Sequence, residues 1–144
     1  METTIIISLL VTAYLLGSIP TAVWWGKRYY GIDVREFGSG NAGATNTFRV
    51  LGKKAGIPVL FIDIIKGTLA VLLVYLSSFE YDSNQFVNLE LGLGIAALVG
   101  HVFPVFAGFR GGKGVATILG IVICITPITS LMVLGVFLIV LLAT

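Results

Sequence analysis

The chain has 144 residues, 57% of them hydrophobic and 11% charged, with a formal net charge of +2. A soluble domain of this length carries about a quarter charged residues, so too little polar surface remains here to cover a water-soluble globule. The small charge excludes an electrostatic nucleic-acid binder, the length allows one domain over 1–144, and the single cysteine, Cys124, excludes an internal disulfide or a cysteine metal cluster.

Four apolar blocks follow in order, at 5–26, 56–79, 86–107 and 115–144. A helix needs about 20 apolar residues to span a membrane, and each block suffices. The first is not a signal peptide: only Glu2 precedes it where a basic region belongs, and its apolar run is too long. The last block would reach roughly 45 Å as one helix, against about 30 Å of hydrocarbon. It contains Thr126-Pro127-Ile128-Thr129-Ser130. Proline lacks a donor and clashes with the preceding turn, which predicts two short helices meeting near Pro127. The expected fold is an all-α, polytopic transmembrane bundle. The block runs out at Leu141-Leu142-Ala143-Thr144 without a polar flank, so the chain is expected to be the N-terminal part of a longer protein.

The connections differ in charge. Loop 27–55 holds Lys27, Arg28, Arg35, Arg49, Lys53 and Lys54 against Asp33 and Glu36, and 108–114 adds Arg110 and Lys113. Residues 80–85 carry Glu80 and Asp82 and no base. Basic loops stay in the cytoplasm, which predicts the N-terminus outside and both glycine-rich loops inside. The aromatics Trp24, Trp25, Tyr29, Tyr30, Phe106 and Phe109 cluster at that interface and read as an aromatic belt.

The first basic loop contains Phe37-Gly38-Ser39-Gly40-Asn41-Ala42-Gly43-Ala44-Thr45-Asn46, followed by Arg49. Glycines let a backbone approach a ligand and turn its N–H groups towards an anion, and arginine suits bidentate phosphate binding. Gly38, Gly40 and Gly43, with Asp63 further on, formally match a dinucleotide fingerprint. That motif belongs between a strand and a helix of a βαβ unit, not between two membrane spans, so the match is rejected. The second loop reads Gly108-Phe109-Arg110-Gly111-Gly112-Lys113-Gly114-Val115-Ala116-Thr117. It fails the P-loop pattern at Ala107 and Gly114, yet it sets a cation and free N–H groups of glycine at a helix start, where anions bind. Either loop alone also reads as a flexible or membrane-anchoring connection. Two on one side of the membrane favour a shared anion site.

Asp63 and Lys66 lie three residues apart on the second span and so share a helix face. An internal ion pair that orients the loops is the preferred reading, ahead of direct catalysis. Glu90 lies near the outer end of the third span, where it can snorkel. His101, beside Pro104, is either a general base or a hydrogen-bond partner for carbonyls freed by the proline.

Taken together, these segments resemble the bacterial membrane acyl-phosphate:glycerol-3-phosphate acyltransferases of the PlsY type. The resemblance rests on Gly17-Ser18-Ile19-Pro20, on Gly38-Ser39-Gly40-Asn41 with Gly43-Ala44-Thr45-Asn46 and Arg49, on Asp63 with Lys66-Gly67, and on Gly100-His101 through Phe103-Pro104 to Gly111-Gly112-Lys113-Gly114-Val115-Ala116-Thr117. It implies transfer of an acyl group from acyl phosphate, not acyl-CoA or acyl carrier protein, to the 1-hydroxyl of glycerol 3-phosphate. The products would be lysophosphatidic acid and phosphate, formed without a cofactor or metal at the inner membrane. It implies Ser39, Arg49 and Lys113 as catalytic residues. Gly38, Gly40, Asn41, Gly43, Thr45, Asn46, Gly111, Gly112 and Gly114 would shape the phosphate pocket, with Asp63, Lys66 and His101 in support. Members of that family are longer and carry a third motif with Arg, Asn and Glu that is absent from this sequence. No Ser-His-Asp set is visible, so catalysis is expected to be mainly positioning, with the leaving phosphate taking the hydroxyl proton. Basic loops and an intramembrane Asp–Lys pair also suit a transporter or channel for a phosphorylated metabolite, although its site would lie near the bilayer midplane. A non-catalytic membrane subunit would not need Ser39, Arg49 and Lys113 to converge.

Overall fold

The computed structural model describes Glu2–Ala143, except for the side chains at 134, 137, 138 and 141–143. The expectation about Leu141-Leu142-Ala143-Thr144 rests on side chains, and on Thr144 as a whole, that lie outside that description. Among the described residues the chain is all helical. The helices are α1 (Glu2–Gly17), α2 (Thr21–Tyr30), α3 (Ala44–Leu51), α4 (Lys53–Leu72), α5 (Asn84–Val102), α6 (Val115–Ile125) and α7 (Pro127–Ala143). Short 3-10 turns cover Val34–Glu36, Leu73–Leu76 and Val105–Ala107. Among the described residues, three stretches are long and apolar enough to cross a membrane: Glu2–Tyr30, Lys53–Leu76 and Asn84–Ala107.

The first apolar block is not the single helix expected over 5–26. It breaks at Ser18-Ile19-Pro20 between α1 and α2. Proline removes a backbone donor and biases the residue before it away from helical geometry. The freed Ile19 carbonyl accepts from Thr21 N at 3.0 Å and from Lys66 Nζ at 2.9 Å. The break expected near Pro127 is present. Pro127 starts α7, where its missing N–H costs nothing. The Val122 carbonyl of α6 accepts from the Thr126 and Ser130 hydroxyls at 3.1 and 3.0 Å. α5 starts at the Ser83 cap, whose hydroxyl accepts from Phe86 N at 3.2 Å.

Packing pairs α1 with α5 and α4 with α6. Lipid is as apolar as the side chains, so close backbone approach replaces the hydrophobic effect in holding such crossings. A Cβ on Gly100 would collide with the Tyr14 carbonyl, one on Gly67 with the Thr117 carbonyl, and one on Gly120 with the Ile64 carbonyl. Leu9, Ala13, Ala70, Val74, Phe86, Leu89, Leu93 and Ala97 fill the space between these pairs. Gly120→Ala is therefore expected to destabilise by about 1–3 kcal/mol, since backbone cannot rotate out of the way. Gly135→Ala in α7, where nothing among the described residues lies within 4 Å of an added Cβ, should be neutral or slightly stabilising. Thermal unfolding in detergent would separate the two. Equal melting temperatures for both variants would refute the crossing argument.

Candidate active site

The first basic loop is held by its own polar groups. Gly38 and Gly40 take φ of 61° and 71°, in the left-handed region that glycine tolerates best. Asn46, buried on α3, reaches back to the loop. Its amide donates to the Val34 and Phe37 carbonyls at 2.8 and 3.2 Å, and its Oδ1 accepts from Ser39 N at 2.9 Å. Sequence reasoning placed Asn46 among the ligand-binding groups. Its bonds fix the loop that carries Ser39, and the residue also borders the cavity.

The second loop also differs from expectation. The N–H groups of Gly111 and Gly112 are bonded to the Val102 and His101 carbonyls, each at 3.1 Å, so they close the end of α5 and are not free donors. The Gly111 carbonyl accepts from Ala42 N at 3.4 Å, which joins the two loops directly. A Cβ on Gly112 would collide with His101 Nε2. These glycines serve close packing. The free donors lie one step later. Gly114, at φ 77°, starts α6, and helix geometry leaves the first-turn N–H groups of Val115, Ala116 and Thr117 without intrahelical partners. α3 presents its own first turn, Ala44, Thr45 and Asn46, in the same way.

Both helix starts open on one cavity of about 350 Å³. Ser39, Asn41, Gly43, Thr45, Asn46 and Arg49 line it from the first loop and α3, and Lys113 and Gly114 line it from the second loop. Leu60, Val115, Ala116 and Leu119 form an apolar wall. Asp63 and His101 also border it, whereas Gly38, Gly40, Gly111, Gly112 and Lys66 do not. Positive helix ends, a guanidinium and an ammonium thus surround one space, which favours anions.

Behind the cavity lies a buried polar cluster. Asp63 Oδ1 is 3.0 Å from Lys66 Nζ and 3.9 Å from His101 Nδ1, and His101 Nδ1 is 3.1 Å from Thr117 Oγ1. Lys66 is anchored on Ile19, so the pair ties α4 to the α1–α2 break, in line with an internal ion pair. His101 does not bond carbonyls around Pro104 with its side chain. Its ring turns towards α4 and α6 instead.

Sequence reasoning counted Asp33 and Arg35 only as charges. Asp33 accepts from Arg35 Nε and Nη2 at 3.0 and 2.8 Å, and Arg35 Nη1 donates to the Ala107 and Arg110 carbonyls at 2.8 and 3.3 Å. Arg35 thus clamps the second loop to the first. The sequence offers only the spacing of Asp33 and Arg35 as a signal; in the structure Asp33 also accepts from Arg35 N at 3.0 Å. Hydrogen bonds from Arg35 hold the Asp33 carboxyl well below the usual carboxylate range, with Lys27 at 3.2 Å adding to them, while burial opposes. A depressed carboxylate pKa stabilises fully above the unfolded value of about 3.9, and that contribution is lost only as pH falls through the lower folded value. The clamp is therefore intact at neutral pH. Arg35→Ala is expected to lower the activity that the cavity supports by about tenfold or more through a displaced Lys113 loop. Arg35→Lys, without the planar fork, should rescue little. Initial rates in matched membranes would show this, and wild-type rates for Arg35→Ala would refute the clamp.

The family model for glycerol-3-phosphate acyltransferase matches residues 7–144. The chain is 55% identical over 139 residues to the glycerol-3-phosphate acyltransferase of Chlorobaculum tepidum, covering 92% of this chain and 59% of that one. It is 57% identical over 122 residues to that of Enterococcus faecalis, covering 85% and 54%. It thus spans about three fifths or less of the length of these relatives. Among solved structures it is similar to PlsY (YgiH), an integral membrane glycerol 3-phosphate acyltransferase, in its glycerol 3-phosphate form. That match has TM-score 0.75 and 44% identity, covering 92% of this chain and 66% of that one. The lysophosphatidic acid form of PlsY matches with TM-score 0.72. With its apolar helices of spanning length, the chain is a multi-pass membrane protein.

Proposed function

This chain belongs to the glycerol-3-phosphate acyltransferase family, and on that premise we propose that it moves a fatty acyl group from acyl phosphate to the 1-hydroxyl of glycerol 3-phosphate, releasing lysophosphatidic acid and phosphate. One observation carries the reading: Ser39, Arg49 and Lys113, from separate segments, border a single cavity with donors on its polar sides and an apolar wall. Both substrates carry phosphate, and the acyl donor carries a hydrocarbon chain. Arg49 grips phosphate oxygens bidentately and Lys113 acts as a compact charge. The first-turn N–H groups of α3 and α6 add fixed positive ends. Ser39 hydrogen-bonds a substrate and aligns it. Asn41, Thr45 and the glycines shape the pocket.

The chemistry needs little beyond this. The 1-hydroxyl oxygen bonds to the acyl carbon, the carbon–oxygen bond to phosphate breaks, and the departing phosphate takes the hydroxyl proton. Cations already in place stabilise negative charge as it grows on the carbonyl and leaving oxygens. Holding two anionic substrates in line supplies most of the remaining acceleration. The basic loops belong at the inner leaflet by the charge bias of the connections, with the site open to the cytoplasm and the N-terminus outside.

The test supplies the full-length protein, in vesicles, with acyl phosphate and glycerol 3-phosphate. Lysophosphatidic acid and phosphate should appear in equal amounts. Failure to form either would refute the reaction. A covalent acyl group trapped on Ser39 would refute the direct transfer.

A further inference from the structure

Arg49, Lys113 and the first-turn N–H groups around the cavity can only donate hydrogen bonds, but glycerol 3-phosphate also has hydroxyls that must donate. His101 supplies an acceptor. The ring is buried, borders the cavity, and has its two nitrogens in different settings. Nδ1 lies 3.1 Å from Thr117 Oγ1 and 3.9 Å from the Asp63 carboxylate. Asp63 is itself held at 3.0 Å by Lys66, which bonds the Ile19 carbonyl. With Nδ1 within hydrogen-bond distance of Thr117 Oγ1 and the Asp63 carboxylate on the same side, the geometry suits a proton on Nδ1 that is donated to Thr117. Nε2 then carries the lone pair. It makes no hydrogen bond among the described residues. It abuts Gly112, where any side chain would cover it.

We propose that His101 Nε2 recognises the acceptor substrate by accepting a hydrogen bond from its 2-hydroxyl, with Asp63 and Thr117 as positioning residues that fix the ring's tautomer. This rests on the reaction proposed above, in which the 1-hydroxyl proton leaves with phosphate, so the ring nitrogen serves the neighbouring hydroxyl. A three-carbon phosphate with a ketone at C2 brings no donor and sets a lone pair against Nε2. A site built for a donor rejects such an analogue strongly, because its own polar group stays unpaired.

The experiment measures displacement of labelled glycerol 3-phosphate from the full-length protein by unlabelled glycerol 3-phosphate and by dihydroxyacetone phosphate. The ketone should compete about tenfold or more weakly. His101→Asn keeps a group for Thr117 but removes the outer acceptor. It should raise the KM for glycerol 3-phosphate by about tenfold, leave the KM for acyl phosphate within about twofold, and abolish the preference over the ketone. His101→Gln returns an acceptor near the ε position and should restore much of that preference. Equal competition by the two ligands on the wild type would overturn the assignment without any variant. Equal losses for both substrates in His101→Asn, or a His101→Gln as defective as His101→Asn, would also overturn it. Normal turnover without the preference sinks this assignment alone. Absence of both turnover and glycerol 3-phosphate binding sinks the reaction and the assignment with it.

Discussion

In the full-length protein, Lys113→Ala is expected to cut the proposed lysophosphatidic acid formation by about 100- to 1,000-fold while leaving thermal stability unchanged, and Arg49→Ala should behave alike. The split between activity and stability follows from where the charges sit. Both residues are exposed, both border the cavity, and neither enters an ion pair among the described residues. No structural partner is stranded when either is removed. What is lost is positive charge facing the phosphates and the carbonyl oxygen as they become more negative. Lys113→Arg should recover part of the rate, since the charge returns with a different shape. Arg49→Lys should recover less, because a point charge cannot replace two parallel N–H bonds. The double alanine variant should be less impaired than the product of the single losses, since groups that act on one transition state are not additive. Rates with both substrates near saturation, beside melting curves of the same preparations, check this. Full turnover in both single variants would remove Arg49 and Lys113 from the site.

What the sequence made legible was periodicity and charge. Long apolar blocks announce spans, and Pro127 announces a break, because the missing donor acts locally. Pro20 carried the same signal and was read only as part of a motif, so the α1–α2 break was missed. The convergence of Ser39, Arg49 and Lys113 was legible in outline, since two glycine-rich cationic loops on one side of a membrane have few other ways to arrange themselves. Which glycine N–H groups are free was not. Gly111 and Gly112 bond carbonyls of α5, a pairing set by how the chain leaves Pro104. Arg35 was hidden for a similar reason. Its acceptors, Ala107 and Arg110, are backbone carbonyls more than 70 positions away, and nothing in a side-chain pattern records them. That Asn46 also holds the first loop was not legible, because a motif gives residue types and not the direction a side chain takes from α3.

The buried pair on α4 yields the largest stability effect. Asp63 and Lys66 are 1% and 4% exposed and stand 3.0 Å apart within a segment of membrane-spanning length. Removing one partner leaves a full charge in an apolar surround, at a cost of about 3–5 kcal/mol, whereas removing both can be nearly neutral. Asp63→Asn and Lys66→Met should each lower the melting temperature markedly, and the double variant should recover most of the loss. Lys66→Met should be the worse single change, because Lys66 also donates to the Ile19 carbonyl at the α1–α2 break. The double variant should retain about 1 kcal/mol of that deficit, the share of one hydrogen bond. A double-mutant cycle of thermal unfolding in detergent gives the coupling directly. Strictly additive losses would mean that each charge is compensated separately. Lys66 would then hold the Ile19 carbonyl at the break without help from Asp63.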